Sequence, residues 1–186
     1  MSFKSLKKIV SIVTIVTFIA TNKVDAKESS GNLRAPLMGD SKTVKEYYQI
    51  LEDTLTGRFV PAFQKRPKRR VILAPRFYLF DVGVVGFLTR RGRIEQGSEL
   101  FGRAFEHFLF MELSAHSRYS GLHYPISCWR TASQIEVDFI LGDHEIALEL
   151  KGTASAQLHH IRGLIAFGDE YKTRRRILVT CDPKPR

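Results

Sequence analysis

Two short runs of alternating residues, 135–141 and 145–151, constrain the fold of this chain more than any other part of its sequence. A period of two places aliphatic side chains on one face of a β-strand and the remaining side chains on the other. Gly142 and Asp143, which separate the runs, form a good two-residue turn. We therefore predict an antiparallel hairpin with one aliphatic face and one polar face.

The parity of this turn decides which polar side chains share a face, because residues directly opposite in an antiparallel pair point the same way. A two-residue turn pairs Leu141 with His144, and a four-residue loop pairs Asp138 with Glu149. Either even loop places Asp138, Glu149 and Lys151 on one face. An odd loop would separate them unless a bulge restored the register. We expect the even register.

Two carboxylates on one face are suited to a hard divalent cation, Mg or Mn, through oxygen ligands. Such an ion polarises a phosphoryl oxygen and activates its bound water, and a nearby lysine stabilises charge that develops on phosphate. The candidate catalytic residues are therefore Asp138, Glu149 and Lys151, with Asp138 and Glu149 as metal ligands. A Glu-x-Lys motif alone is more often a surface charge pair, and the preceding aspartate makes this one more specific.

A third acid, Glu106, lies in a predicted helix from Ser98 to Ser114 that is apolar on most faces. A carboxylate on such a surface needs a partner. Glu106 is then either a third metal ligand or an acid at the edge of the core, paired with a nearby arginine such as Arg103.

The remaining pattern predicts helices at 42–52, 82–88 (with Asp81 as N-cap) and 154–170, two short strands across 57–75, and strands at 76–80, 123–128 and 176–181. Helix, three strands, helix and strand in succession predict an α/β sandwich around a mixed sheet. The chain has no G-x-x-x-x-G-K-[ST] motif, so we expect no nucleotide site of the P-loop type.

The chain is basic, with 29 Lys and Arg against 19 Asp and Glu and a formal net charge of +10. This balance favours nucleic acid as a partner first and an anionic membrane second, although it also fits a generally basic protein. Basic runs at 65–70 and 90–93 are either solvated loops or phosphate-binding segments. The candidate nucleic-acid-binding residues are Lys68, Arg69, Arg70 and Arg91.

The N-terminus combines lysines, an apolar stretch at 9–20 and small residues before Ala26. This layout is typical of a signal peptide that ends near Ala26, and an amphipathic helix packed on the following domain is the alternative. No run reaches the roughly 18 apolar residues of a membrane span. We expect no membrane association unless the leader is a genuine signal or anchor.

Several separate segments resemble one known family. They are residues 43–55, 76–84, 102–106, 129–131, 136–139 and 149–151. They resemble the C-terminal domain of unknown function of prokaryotic AAA-type ATPases, over roughly residues 31–186. The resemblance implies a PD-(D/E)xK (restriction-endonuclease-like) nuclease core with a mixed sheet flanked by helices, after a winged-helix segment. By position, Asp138, Glu149 and Lys151 match the active-site core, and Glu106 matches the acid on the helix.

The resemblance also implies a domain organisation: a leader at 1–30, a partial winged-helix segment at 31–70 that Pro36 interrupts, and a nuclease-like domain at 71–186, truncated at its C-terminus. The ATPase module is absent, so a separate ATPase subunit is an expected partner. The family predicts a cytoplasmic location, with export through the signal-like leader as the alternative.

For function, we expect metal-dependent phosphodiester cleavage of DNA by a domain detached from its ATPase. The alternatives are a non-catalytic module that binds nucleic acid or protein, and a non-functional remnant of a longer gene.

Overall fold

The computed structural model describes residues 41–65 and 69–183, with residues 41–45 as main chain only. Its α-helices are α1 (Ser41–Asp53), α2 (Val82–Leu88), α3 (Glu99–Tyr119) and α4 (Arg162–Glu170), the last preceded by a 3-10 turn at Leu158–Ile161. Its strands are β1 (Gly57–Val60), β2 (Arg76–Leu79), β3 (Ile126–Arg130), β4 (Glu136–Leu141), β5 (Ile146–Lys151) and β6 (Arg175–Thr180).

The main sheet has the strand order β3-β4-β5-β6. Strands β3, β4 and β5 are antiparallel neighbours, whereas β5 and β6 are parallel and are joined through α4. A parallel pair needs such a crossover, because a tight turn can only reverse the chain. The predicted mixed sheet with helices is therefore confirmed at the level of an α/β fold.

Strands β1 and β2 form a separate antiparallel pair. Described residues on each side of positions 66–68 contact β3: the N–H of Phe63 donates to the carbonyl of Cys128 at 2.7 Å, and that of Ile72 donates to the carbonyl of Arg130 at 2.8 Å. The prediction of a second strand before residue 75 is wrong. Instead of a strand, that segment forms an isolated bridge between Val71 and Thr131.

Both faces of β4 and β5 are buried. On one face an apolar cluster joins the sheet to α4, with Trp129, Ile140, Ala147, Leu164 and Phe167 among its members. On the other face aromatic rings of Tyr78, Phe110 and Phe139 stack or tilt against one another, between β2, α3 and β4. The central hairpin is thus covered on both sides, and polar groups that point from it are enclosed.

Two predicted helices differ from those observed. Helix α3 is capped by Ser98, whose Oγ accepts the N–H of Phe101 at 3.1 Å, but it continues five residues beyond Ser114. The helix predicted from residue 154 begins only at Arg162, after the 3-10 turn. Side chains before it accept main-chain N–H groups locally, as in the bond from the N–H of Ser155 to Oγ1 of Thr153 at 3.2 Å, and such bonds compete with helix formation.

Three predictions fall wholly or partly outside the described residues. The leader at 1–30 and Lys68 lie outside them, and of the winged-helix segment at 31–70 only α1, β1 and their flanking residues lie within. Within the described ranges, no helix is long and apolar enough to cross a membrane.

Candidate functional site

The β4–β5 hairpin has the even register that the sequence predicts. Leu141 pairs with Ile146 and Phe139 with Leu148, so the same register sets Asp138 opposite Glu149. The predicted two-residue turn is wrong, because the loop has four residues. Gly142 and His144 adopt φ angles of +67° and +65°, which are left-handed conformations that reverse the chain within this longer loop.

A β-bulge lies on the other side of β4. Ser127 pairs with Ile140 but Trp129 pairs with Val137, so Asp138 and Phe139 together stand opposite the single residue between Ser127 and Trp129. The extra residue interrupts the alternation, and Val137 and Ile140 consequently join the same apolar cluster. Bulges re-aim side chains in this way, and here the re-aimed residue is a candidate catalytic acid.

The carboxylate of Asp138 bridges elements that are far apart in sequence. Its Oδ2 accepts the main-chain N–H of Leu150 on β5 at 2.9 Å, and its Oδ1 accepts from the guanidinium of Arg76 on β2 at 3.1 Å. Only 5% of Asp138 is exposed. A buried carboxylate held by a main-chain donor and a cation is fixed in position rather than free to reorient.

Arg76 binds three carboxylates at once. Its Nη1 donates to Glu106 at 2.8 Å and to Asp138 at 3.1 Å, and its Nη2 donates to Glu136 at 3.0 Å. Burial works to lower the pKa of Arg76, but the charges around it, Glu106 foremost, outweigh burial and raise the pKa. We name Glu106, Glu136 and Asp138, the three carboxylates that Arg76 binds, the arginine-bound acids.

Glu106 is paired, but not with the residue expected from helical spacing. Arg103 binds Glu99 at 2.6 Å, whereas Oε1 of Glu106 accepts from Arg76 and from the hydroxyl of Tyr78. Burial, followed by the charge of Asp138, raises the pKa of Glu106 despite the contact with Arg76. The partners of Glu106, a carboxylate on a largely apolar helix, are therefore two residues of β2.

Glu149 and Lys151 form a second part of the site, which we name the glutamate–lysine pair. Oε1 of Glu149 lies 2.6 Å from Nζ of Lys151, and Oε2 is buried with no hydrogen-bond partner among the described residues. Burial first, and the charge of Asp138 second, raise the pKa of Glu149 to about 8. The hydrogen bond with Glu149 raises the pKa of Lys151 although burial works against it.

The chemistry of these residues suits a hard divalent ion, since carboxylate oxygens are its usual ligands. A buried oxygen without a partner, such as Oε2 of Glu149, is an uncommon and costly feature that a bound ion would relieve. Among residues 41–65 and 69–183, however, no group of three or more His, Cys, Asp or Glu is arranged to hold a metal. Glu106 and Asp138 instead converge on the guanidinium of Arg76.

Three of the candidate nucleic-acid-binding residues, Arg69, Arg70 and Arg91, are described, and their surroundings differ. Arg69 contacts the C-terminal part of α4, donating to the carbonyl of Ala166 at 2.7 Å and lying 3.1 Å from Oε1 of Glu170. Arg70 is exposed, and Arg91 is half-buried beside a cavity between β2, α2 and α3.

Arg76, Tyr78 and Glu136 belong to the site, but sequence reasoning did not select them. The available signal was the position of Arg76 and Tyr78 two residues apart on a strand, which gives them one face. Glu136 stands two residues before Asp138 and offered the same signal.

Comparison with known families divides the chain in two. Residues 3–95, half of the chain, match the model of a family described as a domain of unknown function (DUF8612). The chain belongs to this family. Residues 101–185 match a second domain of unknown function (DUF4143), which is found in AAA-ATPase-associated proteins. No curated protein and no solved structure matches the chain.

The site draws on both matched segments. Arg76 and Tyr78 lie in the part that matches DUF8612, whereas Glu106, Asp138, Glu149 and Lys151 lie in the part that matches DUF4143. The arginine-bound acids therefore depend on residues from both segments.

Proposed function

We propose that this chain is a nuclease-like domain that cleaves phosphodiester bonds in DNA with the help of a divalent cation. The observation that carries the proposal is Glu149, a buried glutamate with one unpartnered oxygen, 2.6 Å from Lys151 and opposite Asp138 in the hairpin register. Acids whose pKa is raised by burial and by a neighbouring negative charge, as Glu106 and Glu149 are, cluster at functional sites.

In this proposal Asp138 and Glu149 hold the cation, with Glu106 beside them, and the cation supplies Lewis-acid activation of a phosphoryl oxygen and of water. Lys151 stabilises negative charge that develops on the phosphate. Main-chain donation from Leu150 and the guanidinium of Arg76 hold Asp138 in place. The residues of the chain thus provide ligands, a fixed positive charge and an orienting frame.

The fold that supports this function best is the PD-(D/E)xK type. The helix that bears an acid (α3), an antiparallel three-strand unit with the Asp and Glu-x-Lys on adjacent strands, and a helical crossover to a parallel strand agree with that arrangement. We propose the fold on this topology, together with a winged-helix origin for α1 and β1.

The test is cleavage of supercoiled plasmid by the purified chain with Mg²⁺ or Mn²⁺, compared with EDTA. We expect nicking with the metals, and its loss in Asp138→Asn and Lys151→Ala. The matched controls are Asp143→Asn and Lys172→Ala, because Asp143 is an exposed acid on the hairpin loop and Lys172 is an exposed lysine that follows α4. Circular dichroism confirms that each variant is folded. Cleavage that survives both site substitutions would rule out the assignment.

A second candidate function is a non-catalytic module that binds nucleic acid. It is favoured by Arg76, whose guanidinium already satisfies Glu106, Glu136 and Asp138 without any added cation. This function predicts DNA binding that weakens with salt, is reduced by substitution of Arg70 or Arg91, and is unchanged in Asp138→Asn. Binding without cleavage at any metal concentration would favour it over the nuclease.

We propose an ATPase subunit as a protein partner, because DUF4143 occurs in AAA-ATPase-associated proteins. For the same reason we propose a cytoplasmic location, with export through the signal-like leader as the alternative. Fractionation of cells that express the full chain with a C-terminal tag separates the two locations, and cleavage of the leader near Ala26 would establish export.

A further inference from the structure

A cavity of about 470 Å³ opens between β2, α2 and α3. Its walls are largely apolar, with Leu79, Val82, Val85, Ile94 and Ala104 among them. Three arginines, Arg76, Arg91 and Arg103, also line it. Its volume lies within the roughly 300–1,000 Å³ range of small-molecule sites, and apolar walls with few charged groups are the usual composition of such sites.

The end of α2 places Arg91 at this cavity. The N–H of Arg90 donates to the carbonyl of Phe87 at 3.0 Å and that of Arg91 to the carbonyl of Gly86 at 2.9 Å, the two bonds of a Schellman motif. Arg90 has a φ of +50°, a left-handed conformation that an arginine adopts at some energetic cost. The strain at Arg90 thus serves to turn Arg91 back over α2.

Arg91 differs from the other two arginines in what surrounds it. Arg76 is bound by three carboxylates and Arg103 pairs with Glu99, whereas no carboxylate pairs with Arg91 within the described part of the chain. Arg91 is also half-buried, so its charge is less screened than that of an exposed side chain. A half-buried guanidinium at the side of an apolar cavity is suited to an anionic group on an apolar body.

The cavity is continuous with the candidate site, because Arg76, Tyr78 and Glu106 line both. We propose that this cavity binds one nucleotide, with its base between the apolar walls and its phosphate on Arg91 and on Arg103, whose ion pair with Glu99 is solvent-exposed and therefore weak enough to be displaced. The identity of the ligand rests on the proposed function, since a phosphodiester substrate is what places a nucleotide beside these acids. The two guanidinium groups favour a phosphate over the single charge of a carboxylate.

Gly86 offers a way to fill the cavity without disturbing the core. It lines the cavity, and a Cβ added there would meet no atom within 4 Å. Replacing a glycine inside a helix also favours the helix, so Gly86→Leu and Gly86→Ala both keep α2 folded. Leucine extends into the cavity and alanine scarcely does, which makes the alanine variant a matched control.

The experiment is calorimetric titration of the full chain with dAMP in EDTA, beside inorganic phosphate, octanoate, and oligonucleotides with a 5′-phosphate or a 5′-hydroxyl. We expect dAMP to bind more tightly than phosphate or octanoate. Gly86→Leu and Arg91→Gln each weaken dAMP by about tenfold or more, and Gly86→Ala leaves it unchanged. Tighter binding of the 5′-phosphorylated oligonucleotide than of its 5′-hydroxyl form assigns the cavity to strand ends, and equal binding assigns it to free nucleotides.

Absence of dAMP binding, equal binding by Gly86→Leu, or octanoate binding as tight as dAMP would each overturn the inference. Plasmid cleavage separates this outcome from failure of the proposed function, because a closed circle has no strand end and needs no free nucleotide. Metal-dependent nicking without dAMP binding removes the cavity assignment alone. Binding of dAMP without nicking removes the nuclease alone.

Discussion

The arginine-bound acids and the glutamate–lysine pair are neighbouring parts of one site, but their charges are balanced differently. In the first, a single guanidinium donates to three carboxylates. In the second, the lysine reaches one oxygen of Glu149 and the other oxygen stays buried without a partner. On the side of β2 each acid therefore receives a hydrogen bond from one shared guanidinium, whereas on β5 one oxygen of Glu149 receives none from the described residues.

The largest effect should come from removing the shared cation. Arg76→Met leaves three carboxylates crowded together, and loss of one partner of a buried ion pair costs about 3–5 kcal/mol. We expect the free energy of unfolding in urea to fall by that order at neutral pH. Arg76→Lys is the control, because it keeps the charge but not the forked donor geometry, and should lie between wild type and Arg76→Met. An unchanged urea midpoint in Arg76→Met would show that the acids do not depend on it.

A smaller effect, with a distinctive pH dependence, should come from Glu149. Its pKa is raised to about 8 in the folded chain, so between about pH 5 and pH 8 the folded state retains a proton that the unfolded state has lost. Stability therefore falls as pH rises through this window. Glu149→Gln should remove most of that slope and be more stable than wild type at pH 9, with little difference at pH 5.

Unfolding in EDTA at several pH values measures this difference. Glu145→Gln is the matched control, because Glu145 is an exposed glutamate in the loop of the same hairpin. This variant should keep the wild-type dependence of stability on pH. A Glu149→Gln variant that kept the wild-type slope would mean that Glu149 is ionised when folded, and would remove the contrast between the two parts of the site.

The smallest of the three effects concerns Tyr78, whose hydroxyl donates to Glu106. Tyr78→Phe removes that donor while Arg76 still binds the same oxygen, so the expected loss of stability is about 1–2 kcal/mol. The comparison variant is Tyr124→Phe, which also loses hydroxyl hydrogen bonds but lies away from the acids. If Tyr78→Phe cost no more than an exposed substitution, Arg76 alone would account for the binding of Glu106.

The hairpin and α2 were predictable because their signals are local. Alternation gave β5 its faces but not β4, where the bulge puts Val137 and Ile140 in one cluster. Asp81 caps α2 by accepting the N–H of Val84 at 2.9 Å, three residues away. The sequence also indicated that Glu106 needs a partner, but proposed Arg103 from helical spacing. The true partner, Arg76, is 30 residues away, and only the packing of β2 against α3 brings the two together.

The bulge at Asp138 was likewise beyond local reasoning. It arises from the pairing of β4 with β3, and the spacing of residues within β4 does not indicate it. The parity of the hairpin loop predicted the correct even register between β4 and β5. It could not predict the direction of the Asp138 side chain, because that direction depends on the bulge between β4 and β3. The sequence therefore identified the candidate acids Glu106 and Asp138, but it did not identify Arg76, the residue that binds them.

Gly163, in the first turn of α4, has a consequence for how closely that helix can approach the sheet. A Cβ at this position would overlap the main-chain carbonyl of Glu136 and lie 3.3 Å from Oε2 of Glu149. Helix α4 can therefore approach β4 this closely only because residue 163 has no side chain, and a larger residue at this position would force α4 away from the sheet. Water would then reach the unpartnered oxygen of Glu149, and its pKa would return toward that of an ordinary glutamate. A residue with no functional group thus controls the acidity of one that has it.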